Sequence, residues 1–322
     1  MAVLDDYQQV ALRMADWSTL PGAPEVTSYS EHVEDVEQLA RRLAPFDIIV
    51  AMRERTPFPR RLLERLPKLR LLVATGRRHT VIDLQAADEM GIVVCGTGGL
   101  GSNTSELTWA LILSLLRRVP AEATGMRSGG WQHTIGVDLA GKTLGILGLG
   151  SIGRRVARVA HAFDMRVLAW SQNLTPAAAA ESGATWCERD ALLSESDVVT
   201  IHLVLSERTR GLIGARELAC MKPGAYLINT SRGPIVDEAA LIDALRGGRI
   251  AGAALDVYAT EPLPPDHPLR TLPTALLTPH LGYVTENTYR NFYRDAVEDI
   301  AAYLAGSPIR VVSPGDLLSL DR

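Results

Sequence analysis

Cysteine is scarce. Cys95, Cys187 and Cys220 are three thiols in 322 residues, odd in number and far apart. Neither a disulfide framework nor a CxxC or His/Cys metal site is expected, and the usage suits a reducing cytoplasmic setting. A charge excess is also lacking. The net charge of −4 gives no basic field for nucleic acid or an anionic membrane. Long apolar runs are missing too. The most apolar stretch, Leu107–Leu116, is too short to span a bilayer and reads as a buried helix. Met1–Asp6 shows no basic region leading into an apolar stretch, so no secretory signal is expected. There is no low-complexity tract and no usable internal repeat. What is there is a globular composition, 47% hydrophobic and 22% charged, at a length that suits two domains of ~100–200 residues each.

Short apolar runs alternate with helical patterns. The runs are Ala2–Leu4, Ile48–Ala51, Leu71–Ala74, Ile92–Cys95, Thr143–Leu147, Arg166–Trp170, Val198–Ile201, Tyr226–Ile228, Ala251–Leu255 and Ala275–Thr278. Between them, Ile152, Val156, Val159, Ala160 and Phe163 recur at helical spacing. Another helical pattern starts at Asp237, continues through Leu241, Ile242 and Leu245, and stops at Gly247-Gly248. This alternation predicts an α/β protein with parallel sheets. Gly-rich 96–103 is a candidate hinge, and a second follows His280. A last helix, roughly Thr285–Leu304, has no strand after it and is positioned to fold back onto the first domain.

Gly148-Leu-Gly150-Ser151-Ile152-Gly153 fits G-x-G-x-x-G. The pattern alone is weak, but here it follows a strand candidate and opens a helix. Gly148 would permit the tight turn, Gly150 the approach of a pyrophosphate, and Gly153 close helix–strand packing, while the helix N-terminus offers N–H donors. The next strand should end in an acid for the adenine ribose of NAD. Instead Arg166–Trp170 runs into Ser171-Gln172-Asn173, and no Arg or Lys lies between Ser171 and Glu188. NAD or NADP is therefore expected, with Ser171 and Asn173 bonding the ribose or its phosphate.

Ligands of open α/β sheets bind beyond the carboxyl ends of the strands. His202, Asn229-Thr-Ser-Arg232-Gly233, Asp256 with Glu261, and His280 all follow strand candidates. Singly each has a bland alternative: a surface cation, a solvated acid, a structural histidine. Together they suit reduction of a 2-keto acid. A histidine can give the proton. A carboxylate partner orients an imidazole and favours its protonated form. An arginine fork can hold the substrate carboxylate and polarise the ketone.

These stretches resemble the D-isomer-specific 2-hydroxyacid dehydrogenase family. The resemblance rests on Gly141-Lys-Thr-Leu-Gly-Ile-Leu-Gly-Leu-Gly-Ser-Ile-Gly153, Asn229-Thr-Ser-Arg-Gly233, Ala254-Leu-Asp-Val-Tyr-Ala-Thr-Glu-Pro262, Thr278-Pro-His-Leu-Gly282 and Gly130-Trp131. It implies two Rossmann-like doubly wound domains with parallel sheets, the cofactor domain (101–285) inserted into the substrate domain (1–100 and 286–322). It implies His280 as acid/base, Glu261 as its partner and Arg232 as the substrate-binding, polarising residue. Asp256 would contact the nicotinamide carboxamide, with Thr230, His202 and Gly282 nearby. The family is usually dimeric, which would put the helix near Glu106–Leu116 at a subunit interface, although burial within one subunit explains its composition equally well. Thr75-Gly76-Arg77-Arg78-His79-Thr80 matches the loop whose backbone N–H groups hold the substrate carboxylate, and is more basic than usual. Arg77 and Arg78 either face solvent or meet a second acidic group. Arg53 and Arg55 are further candidates to line the cleft. Tyr283 stands where the family commonly has a small residue and would narrow the pocket. No metal, nucleic acid or membrane partner is expected. The alternatives are an NAD(H)-sensing corepressor-like regulator and a formate- or phosphite-type dehydrogenase.

Overall fold

The computed structural model describes residues 1–76, 81–99 and 103–315. The chain divides into two compact units, Met1–Leu100 with Thr285–Arg322, and Gly101–Val284. In the first unit the strands are β1 (Ala2–Val3), β2 (Thr27–Ser28), β3 (Ile48–Ala51), β4 (Leu71–Ala74) and β5 (Val93–Gly96). They form a parallel sheet in the order β2-β1-β3-β4-β5. Every residue of β3 and β4 is buried. Helices cover both faces of such a sheet, so its strands read as unbroken apolar runs. Asp35 and Asp83 accept hydrogen bonds from Gln38 N and Ala86 N and so start helices Val36–Leu43 and Leu84–Glu89. The late helix spans Glu286–Leu304, capped by Thr285, and buries Phe292, Tyr293, Ala296 and Ile300. Beyond it the chain runs antiparallel to β5, with Val312 N donating to Val94 O.

The second unit carries β6 (Thr143–Leu147), β7 (Arg166–Trp170), β8 (Thr185–Trp186), β9 (Val198–Ile201), β10 (Tyr226–Asn229), β11 (Gly252–Leu255) and β12 (Ala275–Leu277). Their order, β12-β11-β10-β9-β6-β7-β8, is all parallel. Chain order reverses between β6 and β9, the topological switch point of a dinucleotide-binding fold. Helix Ser151–Ala162 follows β6 and buries Val156 and Ala160. Val159 lies off that face and is exposed. Helix Glu238–Arg246 is capped by Asp237 and closed by Gly247, with Gly248 at φ +64°. Helix Asn103–Leu116 buries Trp109, Leu111, Ile112, Leu115 and Leu116 in the same cluster as Leu144 and Ile146. At roughly 1.5–3 kcal/mol per buried side chain, its apolar character is accounted for inside its own unit. Burial within one subunit, one of the two expected readings of this helix, is thus observed. Among the described residues no helix is long and apolar enough to cross a membrane.

Candidate active site

At the switch point, the glycine turn is shaped by two close approaches and one open position. Gly148 has φ +102°, and a Cβ there would lie 2.7 Å from the carbonyl carbon and oxygen of His202. A Cβ on Gly153 would lie 2.2 Å from Gly148 O. Neither backbone can yield by a rotamer change, so both glycines are dictated by packing. Gly150 differs: its φ is −81°, and a Cβ would meet no protein atom within 4 Å. Gly150 caps the helix that begins at Ser151 and Ile152, and no side chain caps that N-terminus. Uncapped N–H donors beside a position left bare for no reason internal to the protein fit a pyrophosphate. His202 follows β9, its Nε2 3.0 Å from Thr200 Oγ1. Burial pushes its imidazole down to about 3, so it is neutral at physiological pH. Gly148 N donates to Trp170 O (2.8 Å), which brings the end of β7, and with it Ser171 and Asn173, beside the turn.

The opposite side of the same row of strand ends carries the ionisable groups. After β10, Asn229 folds its own loop: its Oδ1 accepts from Ser231 N (3.0 Å) and its Nδ2 donates to Arg232 O (3.0 Å). Thr230 Oγ1 lies 2.9 Å from Thr108 Oγ1, and Ser231 Oγ donates to Leu203 O. Arg232 Nη1 donates to Ser231 O (2.8 Å). Gly233 packs on the next loop, since a Cβ would lie 2.0 Å from the carbonyl carbon of Tyr258. Asp256, at the end of β11, is fully buried. Its Oδ1 accepts from Thr278 Oγ1 (2.6 Å) and Leu281 N (2.7 Å), and its Oδ2 from Gly282 N (2.9 Å). Desolvation raises its carboxyl above the usual range, against the pull of these bonds. Thr104 Oγ1 donates to Gly282 O (3.1 Å).

Asp256 thereby ties down the turn on which His280 sits in the left-handed region, φ +54°. Non-glycine residues there cost of order 1–3 kcal/mol and persist where the surroundings enforce them. His280 Nδ1 lies 2.6 Å from Glu261 Oε2. The other carboxylate oxygen, Oε1, accepts from Tyr258 N (2.9 Å). The Tyr283 ring meets the imidazole edge-to-face, 5.4 Å between centroids and 76° between planes, and is 8% exposed. The sequence-expected residues of this unit thus fall along adjacent strand ends, from Asn173 and Ser171 through Gly148 and His202 to Arg232, Asp256, Glu261 and His280. Sequence reasoning missed Tyr258. Nothing in its letter signals that it touches several loops at once.

In the first unit, Gly76 has φ +92° and its N–H donates to Thr97 Oγ1 (2.8 Å). The Arg53 guanidinium lies over it: a Cβ on Gly76 would be 3.0 Å from Arg53 Nη1. Arg53, at φ +50°, has its N–H bonded to Thr75 Oγ1 (3.0 Å) and its side chain on Glu54. Arg55 is drawn into the fold of this unit, donating to Asp5 O and Tyr289 Oη and lying 4.2 Å over the Tyr7 ring. Arg77 and Arg78 lie outside the described residues. No group of three or more His, Cys, Asp or Glu suited to a metal is found among the described residues.

A glycine turn at the switch point, on one row of strand ends with an imidazole–carboxylate couple, defines a class: the dinucleotide-dependent oxidoreductases. Comparison with known proteins narrows it. The family model described as D-isomer specific 2-hydroxyacid dehydrogenase, NAD binding domain, matches residues 109–282. The chain is 43% identical over 255 residues to the glyoxylate reductase of Aeropyrum pernix, covering 76% of each. It is 32% identical over 308 residues to the hydroxypyruvate reductase of Blautia hydrogenotrophica, covering 92% of this chain and 95% of that one. Its fold matches the crystal structure of a phosphoglycerate oxidoreductase from Vibrio cholerae with a TM-score of 0.91 at 36% identity, over 95% of this chain and 99% of that one. The chain belongs to the D-isomer specific 2-hydroxyacid dehydrogenase family. It is an NAD-binding enzyme that moves a hydride between its nicotinamide cofactor and a 2-keto or 2-hydroxy acid.

Proposed function

We propose that this enzyme reduces small 2-keto acids of the glyoxylate and hydroxypyruvate kind to D-2-hydroxy acids, with His280 as the proton donor. The observation that carries this reading is the 2.6 Å contact between His280 Nδ1 and Glu261 Oε2. With Nδ1 engaged, the imidazole presents Nε2 to a substrate oxygen, and Nε2 has no bond within the described residues. The nicotinamide, when bound, supplies the hydride to the keto carbon. His280 Nε2 gives its proton to the oxygen as charge develops there, and Glu261 steadies the imidazolium before that transfer. Arg232 holds the substrate carboxylate and polarises the ketone by charge-assisted bonds. Gly148, Gly150, Ser151, Ile152 and Gly153 cradle the pyrophosphate. Thr230, His202, Asp256 and Gly282 surround the nicotinamide end, where a neutral His202 adds no charge. In the first unit, Gly76, Arg53, Arg77 and Arg78 are assigned to the substrate's acid groups, and Tyr283 of the second unit to limiting its size.

Cofactor use is relaxed or leans to NADP, because β7 runs into Ser171 and Asn173 and offers no carboxylate to repel a 2′-phosphate. The protein works as a homodimer. The supporting observation is an exposed apolar arm: Met126, Trp131 (72% exposed) and Ile135 (95%). The arm is held in shape by Glu122, which accepts from His133 N, Thr134 N and Thr134 Oγ1. Three dispersed free thiols suit the cytoplasm.

The test is turnover across glyoxylate, hydroxypyruvate, pyruvate, phenylpyruvate and formate with NADH and NADPH, repeated for His280→Ala and Arg232→Ala. His280→Ala should lose about 10²–10⁴-fold in kcat. Near-normal turnover in both variants defeats the role assignments. An NADH preference above ~100-fold, ~2.7 kcal/mol, defeats the relaxed cofactor reading.

A further inference from the structure

Tyr258, outside the expected set, meets the supports of all three chemistry-bearing residues through its hydroxyl and its backbone. Its hydroxyl lies 3.0 Å from Leu255 O and 2.9 Å from Thr278 O. Those carbonyls stand where β11 and β12 part. Thr278 N donates to Leu255 O, and Thr278 O accepts His280 N (3.1 Å). The hydroxyl therefore closes the ladder at the point from which the His280 turn departs. The backbone N–H of Tyr258 donates to Glu261 Oε1 (2.9 Å), setting the carboxylate whose other oxygen meets His280. The carbonyl of Tyr258 is the surface on which Gly233, next to Arg232, packs without room for a Cβ.

From this juxtaposition we infer that Tyr258 is a positioning residue for hydride and proton transfer. It holds the Arg232, Glu261 and His280 loops in a common register through one buried hydroxyl and its own backbone. The inference rests on the proposed roles of those three residues. Burial pushes the phenol above its ordinary value, so it stays a hydrogen-bond donor over the working pH range. Neutral at every relevant pH, it adds no charge to the couple it supports. The ring itself belongs to the buried core cluster that also holds Leu255 and Ile235, so the hydroxyl can be removed while the ring is kept.

The experiment is Tyr258→Phe, measured beside Glu261→Gln, the double variant and His280→Ala, with thermal unfolding and NADH fluorescence titration as controls. A loosened His280 turn is a misplacement of up to about 1 Å, a scale that costs up to ~100-fold in rate. Losing one of several restraints should cost about 5–50-fold in kcat, with the Kd for NADH within about twofold of wild type. The loss should be non-additive with Glu261→Gln, since both act through the same imidazole. Wild-type kcat in Tyr258→Phe beside an inactive His280→Ala overturns this inference alone. A loss strictly additive with Glu261→Gln, matched by a fall in unfolding temperature, also overturns it, because a merely structural tyrosine behaves that way. Activity retained in His280→Ala removes the reading on which it stands, and this inference with it.

Discussion

Gly150 and Gly153 sit three residues apart in one motif, yet the structure gives them opposite reasons to be glycine, and substitution should separate the two. At Gly153 an added methyl would sit 2.2 Å from Gly148 O, well inside the 3.4 Å at which ordinary contact begins. Alanine gains about 1 kcal/mol of helix propensity there. Overpacking against a backbone oxygen costs about 1–3 kcal/mol or more, and the upper end applies because no rotamer relieves it. A net loss of about 1–2 kcal/mol lowers the unfolding temperature by roughly 2–8 °C without any ligand present. At Gly150 the backbone is already acceptable to alanine, φ −81° and ψ −159°, and the methyl touches nothing. Reduced freedom of the unfolded chain is worth about 0.4–1 kcal/mol, which roughly cancels the weaker helix cap. Gly150→Ala should therefore unfold like wild type. Its defect appears with cofactor: a methyl where a phosphate oxygen approaches disrupts one or two charge-assisted bonds of about 1.5–3 kcal/mol each. That weakens NADH by about 10- to 20,000-fold. Apo thermal unfolding and NADH fluorescence titration measure both arms. An unfolded Gly150→Ala apoprotein, or one that binds NADH normally, refutes the reasoning.

Two further outcomes follow from the surface and the core. Replacing Trp131 and Ile135 together by Asp should convert a dimer into a monomer in sedimentation velocity while leaving the fold intact, because both side chains are exposed within one chain; an unchanged sedimentation coefficient counts against the arm. Asp299 is fully buried, with Oδ1 on Arg310 Nε (2.8 Å) and Oδ2 without a hydrogen-bond partner among the described residues, and its carboxyl is pushed up to about 6, first by desolvation and then by Asp295 and Glu298 against the pull of Arg310. A folded-state value raised above the unfolded one means that this group stabilises the fold below about pH 4. The contribution fades as pH rises through about 6, by on the order of 1–3 kcal/mol. Denaturant unfolding of wild type and Asp299→Asn across pH 4–7 should diverge by that amount, and parallel curves contradict it.

The strands legible in the sequence are those buried on both faces. β3, β4, β6, β7 and β9 match their apolar runs end to end, because a parallel strand between helical layers leaves no polar alternation to blur it. β2 and β8 were not legible: two residues each have no period to detect. Helix starts at Asp237 and Thr285 were readable because a cap is a local device. The site divides the same way. His280 and Glu261 are 19 residues apart yet touch, and their chemistry announced them once both stood after strands. Gly233 next to Arg232 looked like motif spelling, and its reason is the Tyr258 carbonyl 25 positions away. The bond from Gly76 N to Thr97, across 21 residues, is likewise a product of strand register. Partners fixed by tertiary register leave no trace in local pattern.

The first unit is built from two stretches of chain with the second unit between them, and this sets an order on its synthesis. During synthesis its five strands emerge first, but the helix bearing Phe292, Tyr293 and Ile300, and the segment that lines up beside β5, emerge only after the second unit. At roughly 5–20 residues per second, the early portion waits about 10–40 seconds for its missing layer. The second unit, continuous in the chain, can finish folding during that wait. Until then the sheet of the first unit lacks one covering layer and leaves apolar surface bare, so the stretch before the second unit is the part of the chain most prone to aggregate while it folds.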